Sequence, residues 1–222
     1  MEEIRNRIME TLNFRHACKE FKEGCLVPEE DFAVVMEAAR LSPSSFGFEP
    51  WKILIVQDSR LREKIRPSAW GAQKQLPTAS HFLILLARKR DEMLPDSDYI
   101  SDMIQKVQHL DPDRVDSKKA RYENFLKNDF KIWQGEEAMF WWTSRQAYIA
   151  LSNMLTIAAW MKIDSCAIEG FDREQVERIL EEEGVLNGNK FGVCCMAAFG
   201  YRKNAQGEKT RRALSDVFEW IG

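Results

Sequence analysis

One segment of the chain, residues 136–161, is apolar on almost every side when it is wound as an α-helix. Its large apolar side chains include Phe140, Trp141, Trp142, Tyr148, Ile149, Leu151, Met154, Leu155, Ile157 and Trp160. Its most apolar part, residues 147–161, is shorter than the roughly 20 residues that a membrane span needs. The pattern therefore predicts a helix that is buried on most sides. A single domain rarely covers so many aromatic side chains, so we expect part of this helix to pack in an interface between two copies of the chain.

Around this helix the sequence alternates between strand and helix patterns. Three strands are predicted, at residues 51–56, 81–87 and 190–201, and the second should be central because it is apolar on both faces. Helices are predicted at residues 3–12, from Pro28 to Ser42, at residues 59–66, and from an Asp172 N-cap, with Gln175 completing a capping box, to Gly184. No repeat or linker divides the chain, so we expect one α+β domain over residues 1–222.

Residues 96–130 differ from the rest of the chain because they are polar and charged, with Pro112 interrupting them. This composition predicts surface helices or an excursion from the core. At the end of the chain, residues 214–221 form a last amphipathic stretch.

The overall composition excludes several classes of function. The hydrophobic fraction of 45% and charged fraction of 30% are those of an ordinary folded protein, and the net charge of −3 provides no overall positive field for nucleic acid or anionic lipid. The five cysteines include no C-x-x-C pair and no Cys/His cluster, so neither a disulfide framework nor a metal site is expected. The acidic start of the chain is unlike a secretory leader, and we expect a reducing cytoplasmic location.

Two basic segments lie at opposite ends of the chain. Arg15-His16-Ala17-Cys18-Lys19 follows the first predicted helix, and Lys209-Thr210-Arg211 lies near the C-terminus. One Arg guanidinium can bind two phosphate oxygens at once, and Lys supplies a compact positive charge. Together they would suit a phosphorylated cofactor, and a Lys beside the pyrimidine ring of a flavin would stabilise its reduced form. Taken singly, each segment is equally consistent with a solvated charged surface.

Two further segments supply hydroxyl and backbone donors. Ser42-Pro43-Ser44-Ser45 ends a predicted helix and offers hydroxyl groups to a phosphate or a ribityl chain. Ile168-Glu169-Gly170-Phe171 precedes the Asp172 cap, and a glycine turn there would present backbone N–H groups to a flavin ring. The first segment is also explained as a simple end of the helix, and the second as a loop whose Glu169 faces the solvent.

Other familiar active-site patterns are absent from the sequence. There is no G-x-G-x-x-G, P-loop, H-E-x-x-H or EF-hand pattern, and no Ser lies in a G-x-S-x-G turn. A nucleotide or metal enzyme of those kinds and a serine hydrolase are therefore not supported. No side chain is assigned as a catalytic acid, base or nucleophile.

Taken together and in this order, the four segments resemble the nitroreductase family of FMN-dependent oxidoreductases, and most of all its bacterial oxygen-insensitive NAD(P)H members. The resemblance covers nearly the whole chain, including Ala72-Gln73-Lys74-Gln75 and Ala79-Ser80-His81. It implies an intertwined homodimer with two FMN sites at the subunit interface. It also implies a mixed, mostly antiparallel central sheet surrounded by helices.

The resemblance implies a set of cofactor-binding residues. It would place Arg15, His16, Lys19, Gln75, Ile168, Glu169, Gly170, Lys209 and Arg211 around FMN in one subunit, with Ser44 and Ser45 contributed by the other. Two positions depart from the family: Ala72 stands where an Asn often contacts the flavin, and Phe46-Gly47-Phe48 replaces smaller polar residues. Phe46, Trp70 and Phe125 would then form an aromatic lid that favours flat aromatic substrates.

The implied activity is a two-electron, ping-pong reduction of nitroaromatics or quinones, with NADH or NADPH as reductant. The choice between the two nicotinamides and the physiological acceptor are left open by the sequence. A flavin reductase, or an FMN dehydrogenase of a specific metabolite, is the nearest alternative. An alternative of another class is a non-enzymatic helical interaction protein whose Trp-rich helix binds a partner.

Overall fold

The computed structural model describes residues 1–222 and contains eight α-helices, several short 3₁₀ or π-helical segments and four strands. The helices are α1 (Glu2–Phe14), α2 (Glu29–Arg40), α3 (Ser59–Ile65), α4 (Gln75–Thr78), α5 (Asp98–Asp102), α6 (Pro112–Asn124), α7 (Glu136–Trp160) and α8 (Arg173–Glu182). The strands are β1 (Trp51–Ile55), β2 (His81–Arg88), β3 (Asp164–Ile168) and β4 (Phe191–Gly200). The α+β class is confirmed.

The four strands form one sheet in the order β1-β2-β4-β3, and every pair of neighbours is antiparallel. A single parallel bridge joins Ala17 to Ser165 at the β3 edge. The prediction that β2 is central is confirmed. The strand β3 was not predicted, and it exists because its residues pair with the buried strand β4 along its whole length.

The alternation of side chains along β2 divides the core into two layers. Phe82, Ile84 and Leu86 point into an apolar cluster under α3, α4 and α8, whereas Leu83 and Leu85 point into a second cluster under α2 and α7. Each face of the central strands is therefore covered by one apolar layer.

A β-bulge in β4 interrupts this alternation. Leu85 pairs with Cys195 and Leu86 with Val193, so Cys194 is the extra residue. Cys194 and Cys195 consequently both face the α2–α7 cluster although they are adjacent in sequence. All five cysteines are free thiols.

The segment 96–130 is an excursion with a small core of its own. Tyr122 and Leu126 pack with Trp142 and Met139 of α7, and the Tyr122 hydroxyl donates to the Met93 carbonyl over 2.8 Å. Pro112 begins α6 at its first position, where no N–H is required, and so starts a helix instead of breaking one.

The start of α8 differs in detail from the predicted capping box. Asp172 caps the helix by accepting from the Gln175 N–H over 3.1 Å, as expected. The reciprocal bond is missing because the Asp172 N–H already donates to the Ser68 carbonyl. The Gln175 amide instead donates to the Asp172 carboxylate.

The long helix α7 is buried along most of its length, as predicted, but Trp141, Ile149 and Trp160 are exposed in the single chain. Helix α1 is exposed on nearly every side, with Thr11 its only buried residue. The last residues do not pack on the chain: beyond one helical turn at Leu214–Asp216, the apolar residues there are exposed. None of the helices combines the length and apolar composition required to cross a lipid bilayer.

Candidate functional site

The two ends of the chain meet where α1 ends. The Lys209 Nζ donates to the carbonyl oxygens of Leu12 and Arg15, both over 2.5 Å, and so caps the C-terminus of the helix. Burial lowers the pKa of Lys209, and the nearby charges of Arg15 and Arg211 lower it further. None of these three cations lies within 4.0 Å of a carboxylate oxygen. Three uncompensated cations at one point can hold a phosphate group.

A buried carboxylate, Asp164, fixes the chain around these cations. It is 4% exposed and accepts from Arg202 at Nε over 2.7 Å and at the backbone N–H over 2.8 Å. Arg202 also donates to the Phe14 carbonyl, which ties the segment after β4 to the end of α1. His16 lies 3.7 Å from the same carboxylate, and burial lowers the pKa of its imidazole. Neither Asp164 nor Arg202 was among the predicted site residues.

Lys19 and Gln75 converge on one thiol. The Lys19 Nζ lies 4.0 Å and the Gln75 Nε2 3.7 Å from the Cys166 Sγ, although the three residues come from widely separated segments. Cys166 is 1% exposed, and burial raises the pKa of its thiol, which therefore stays protonated. The bond from the Cys18 N–H to the Ser165 carbonyl, 3.0 Å long, holds the Lys19 segment beside β3. Cys166 is a third site residue that the sequence did not indicate.

The turn after β3 leaves two backbone donors free. The N–H groups of Glu169 and Gly170 donate to no acceptor within the chain. The Gly170 carbonyl accepts from the Gly71 N–H over 2.6 Å, and a Cβ added at Gly170 would lie 2.8 Å from the Gly71 Cα. Trp70 lies against Gly170 yet is 74% exposed. The turn thus offers free donors beside an exposed aromatic ring.

The side chains beside this turn differ in whether they can reach a ligand. Ile168 is buried as the last residue of β3, so only its backbone reaches the turn. The Tyr148 hydroxyl of α7 donates to the Glu169 carboxylate, which orients that side chain. Ala72, by contrast, is fully buried in the apolar cluster under α3 and offers a ligand no side-chain donor.

Ser44, Ser45, Phe46 and Phe125 lie together elsewhere in the chain. The Ser44 hydroxyl accepts from the Glu49 N–H over 2.8 Å, and the Ser45 N–H donates to the Gln146 amide oxygen over 2.9 Å. The Phe46 and Phe125 rings meet edge to face at 5.1 Å.

Within one chain the predicted site residues therefore form two separate groups. The first contains Arg15, His16, Lys19, Gln75, Ile168, Glu169, Gly170, Lys209 and Arg211, with Trp70 beside it. The second contains Ser44, Ser45, Phe46 and Phe125. No hydrogen bond or ring contact joins the two groups. The aromatic lid is divided in the same way, because Trp70 belongs to one group and Phe46 to the other.

The family model described as "Nitroreductase family" matches residues 12–201 of the chain. The Bacillus subtilis protein YfkO, provisionally named an NAD(P)H nitroreductase, is 45% identical over 221 residues, which is 100% of both proteins. A Staphylococcus epidermidis crystal structure, provisionally named an NAD(P)H:FMN oxidoreductase, superposes with a TM-score of 0.79 at 22% identity, covering 96% of this chain and 95% of that one. An Exiguobacterium sibiricum crystal structure, provisionally named a nitroreductase and described as a complex with FMN, gives 0.75 at 19% identity, with 96% and 97% coverage.

Proposed function

Because the chain belongs to the nitroreductase family, we propose that it is an FMN-dependent oxidoreductase that uses NAD(P)H to reduce nitroaromatic compounds or quinones. The observation that carries this proposal is the first group of site residues. It combines three uncompensated cations at the end of α1 with two free backbone N–H groups at Glu169 and Gly170.

These features fit the parts of FMN in turn. Arg15, Lys209 and Arg211 would bind the phosphate, since nothing else in the chain neutralises them. The free N–H groups of Glu169 and Gly170 would donate to the flavin ring, whose nitrogen and oxygen atoms are good acceptors. Lys19 and Gln75, held near each other by Cys166, would contact its polar edge.

The second group of residues would come from another copy of the chain. Ser44, Ser45 and Phe46 do not contact the first group within one subunit, so a shared site requires a homodimer. The exposed apolar residues of α1, of α7 and of residues 214–221 support such a dimer, because a monomer would leave them all in water. The two lid fragments, Trp70 and the Phe46–Phe125 pair, would then belong to one site.

The chemistry that FMN supplies is two-electron transfer, in which hydride arrives from the nicotinamide and passes to the acceptor in ping-pong order. The side chains bind and orient the reactants. The positive charge of Lys19 stabilises the negative charge that accompanies reduction. The Glu169 and Gly170 N–H groups fix the ring, and the aromatic residues Trp70, Phe46 and Phe125 hold a flat acceptor and exclude water.

The direct test is the absorbance spectrum of the purified protein with and without added FMN. The protein should be yellow, should keep FMN through gel filtration, and should be bleached anaerobically by a nicotinamide and recoloured by a nitroaromatic or a quinone. Recolouring by free flavin alone would indicate a flavin reductase instead. A colourless protein that retains no FMN when offered an excess would refute the proposal.

A further inference from the structure

A cavity lies beside Phe46, in the second group of predicted site residues. It is an open cavity of about 750 Å³ between Ser45 and Phe46 on one side and α6 on the other. Its α6 wall carries Arg114, Lys118 and Arg121. A cavity of this size accommodates a ligand larger than a single aromatic ring.

The three cations of this wall share one face of the helix. They are spaced four and three residues apart, which places them in a row along α6. The row extends about 10 Å, given the rise of 1.5 Å per residue. No carboxylate oxygen lies within 4.0 Å of any of the three, although other lysines of this excursion, such as Lys106 and Lys119, are paired. One acidic residue, Asp113, also lines the cavity.

The row is attached to the candidate acceptor site by a chain of hydrogen bonds. Lys118 donates to the Gln108 amide oxygen, and the Gln108 Nε2 donates to the carbonyl oxygens of Phe46 and Gly47 over 3.0 and 2.8 Å. Lys118 is partly desolvated, which lowers its pKa. The position of Lys118, and with it this face of α6, is thus fixed relative to the Phe46 turn.

We propose that this cavity binds the phosphate groups of the nicotinamide dinucleotide and makes NADPH the preferred reductant. The proposal rests on the proposed function: in a ping-pong reaction the nicotinamide ring would occupy the acceptor site in turn, and so would lie near Phe46. A small aromatic acceptor could use only part of a row that extends about 10 Å along the helix, whereas a dinucleotide carries separate phosphates. NADPH has one phosphate more than NADH, on the 2′-hydroxyl of the adenosine ribose. Arg is well suited to such phosphates because its guanidinium binds two oxygens at once.

The test compares the two nicotinamides in a double variant, Arg114→Gln with Arg121→Gln. Both side chains are exposed, so the fold should not depend on them. The kcat/KM for NADPH should fall about tenfold or more, mainly through KM, and that for NADH should fall much less. The matched control is Lys106→Gln, which removes a paired cation from the same excursion outside the cavity and should change neither value.

A second measurement does not depend on flavin chemistry. Adenosine 2′,5′-bisphosphate should bind the wild-type holoenzyme in calorimetry more tightly than adenosine 5′-monophosphate, and the double variant should lose this difference. High salt should weaken the binding of the bisphosphate more than that of the monophosphate.

Three outcomes would overturn the inference while leaving the proposed function intact: equal losses for NADPH and NADH, no difference between the two adenosine phosphates, or a loss confined to an anionic acceptor such as 4-nitrobenzoate. A holoenzyme that contains FMN but is bleached by neither nicotinamide would instead refute the proposed function. In that case the calorimetric comparison would still decide whether the cavity binds the adenosine phosphates.

Discussion

Gly71 and Gly170 touch backbone to backbone: the Gly71 N–H donates to the Gly170 carbonyl over 2.6 Å, and neither residue has room for a side chain. This contact joins the turn after β3 to the turn before α4. It also places Trp70 against the free N–H groups of the candidate flavin site. The contact therefore determines the shape of the site, and it can be tested by adding one methyl group.

Gly170→Ala should separate the two backbones. The new Cβ would lie 2.8 Å from the Gly71 Cα, a contact with rigid backbone that must be relieved by movement of the turn. We expect a loss of about 1–3 kcal/mol in the free energy of unfolding of the flavin-free protein, and weaker FMN retention. Gly207→Ala is the matched control because a Cβ there meets nothing within 4 Å. Equal FMN retention in both variants would contradict the assigned role.

Asp164→Asn should loosen the segment that delivers Lys209. The carboxylate is buried while the Arg202 side chain is 23% exposed. The free energy of unfolding should therefore fall by about 2–3 kcal/mol, less than for a fully buried pair. Urea denaturation and FMN titration would measure the effect. Glu37→Gln removes a partner from an exposed pair with Arg40 and should leave both properties nearly unchanged. Comparable losses of stability and FMN binding in the two variants would mean that Asp164 does not hold the Lys209 segment in place.

Lys19→Met should lower the reduction potential of bound FMN, because the positive charge that stabilises the reduced flavin is removed. Spectroelectrochemistry would measure the potential, and anaerobic mixing with NADPH should show slower bleaching. Lys22→Met removes an exposed cation three residues away and serves as the control. An unchanged potential together with unchanged FMN content in the Lys19 variant would rule out this role.

Ile8→Asp should dissociate the proposed homodimer. Ile8 is 43% exposed on α1, and the apolar residues one turn away on the same face, Ile4 and Leu12, are 53% and 45% exposed. We expect sedimentation to give a monomer at micromolar concentration and FMN to be lost, because the site would lack Ser44 and Ser45 of the other copy. Val185→Asp is a matched control, since Val185 is 41% exposed outside these faces. A wild-type protein that is already monomeric at that concentration would disprove the dimer.

Stability should fall as the pH is lowered below about 6.5, the ordinary pKa of histidine. Burial lowers the pKa of His81, with a smaller effect from Arg62, so the unfolded chain binds a proton that the folded chain does not. His81→Phe keeps the ring that stacks on Phe32 and should reduce this pH dependence. Urea midpoints at about pH 7.5 and about pH 5.5 would show it.

The elements that the sequence predicted best are those whose pattern is local. The strand at His81–Arg88 has an uninterrupted apolar run, and α7 has eleven large apolar residues in 25 positions, so burial follows from composition alone. The strand β3 was missed because its five residues include Asp164 and Ser165, which are buried only through pairing with β4 and contact with Arg202.

The candidate site follows the same division. Its basic and glycine-containing segments can be recognised in the sequence, and so can the family to which the chain belongs. What the sequence did not contain is how these segments meet: that Lys209 caps the helix before Arg15, that Cys166 lies between Lys19 and Gln75, and that the Ser44–Phe46 turn stands apart from all of them.

The sequence by itself thus determined which residues are apolar, which carry charge and where the chain turns, because these properties depend on near neighbours. Only the tertiary structure decided which cations remain without a carboxylate and which N–H groups remain without an acceptor. Both depend on contacts between residues more than a hundred positions apart, such as Leu12 and Lys209. A binding site consists of the charged and polar groups that such contacts leave unsatisfied, so it becomes apparent only when the tertiary contacts are known.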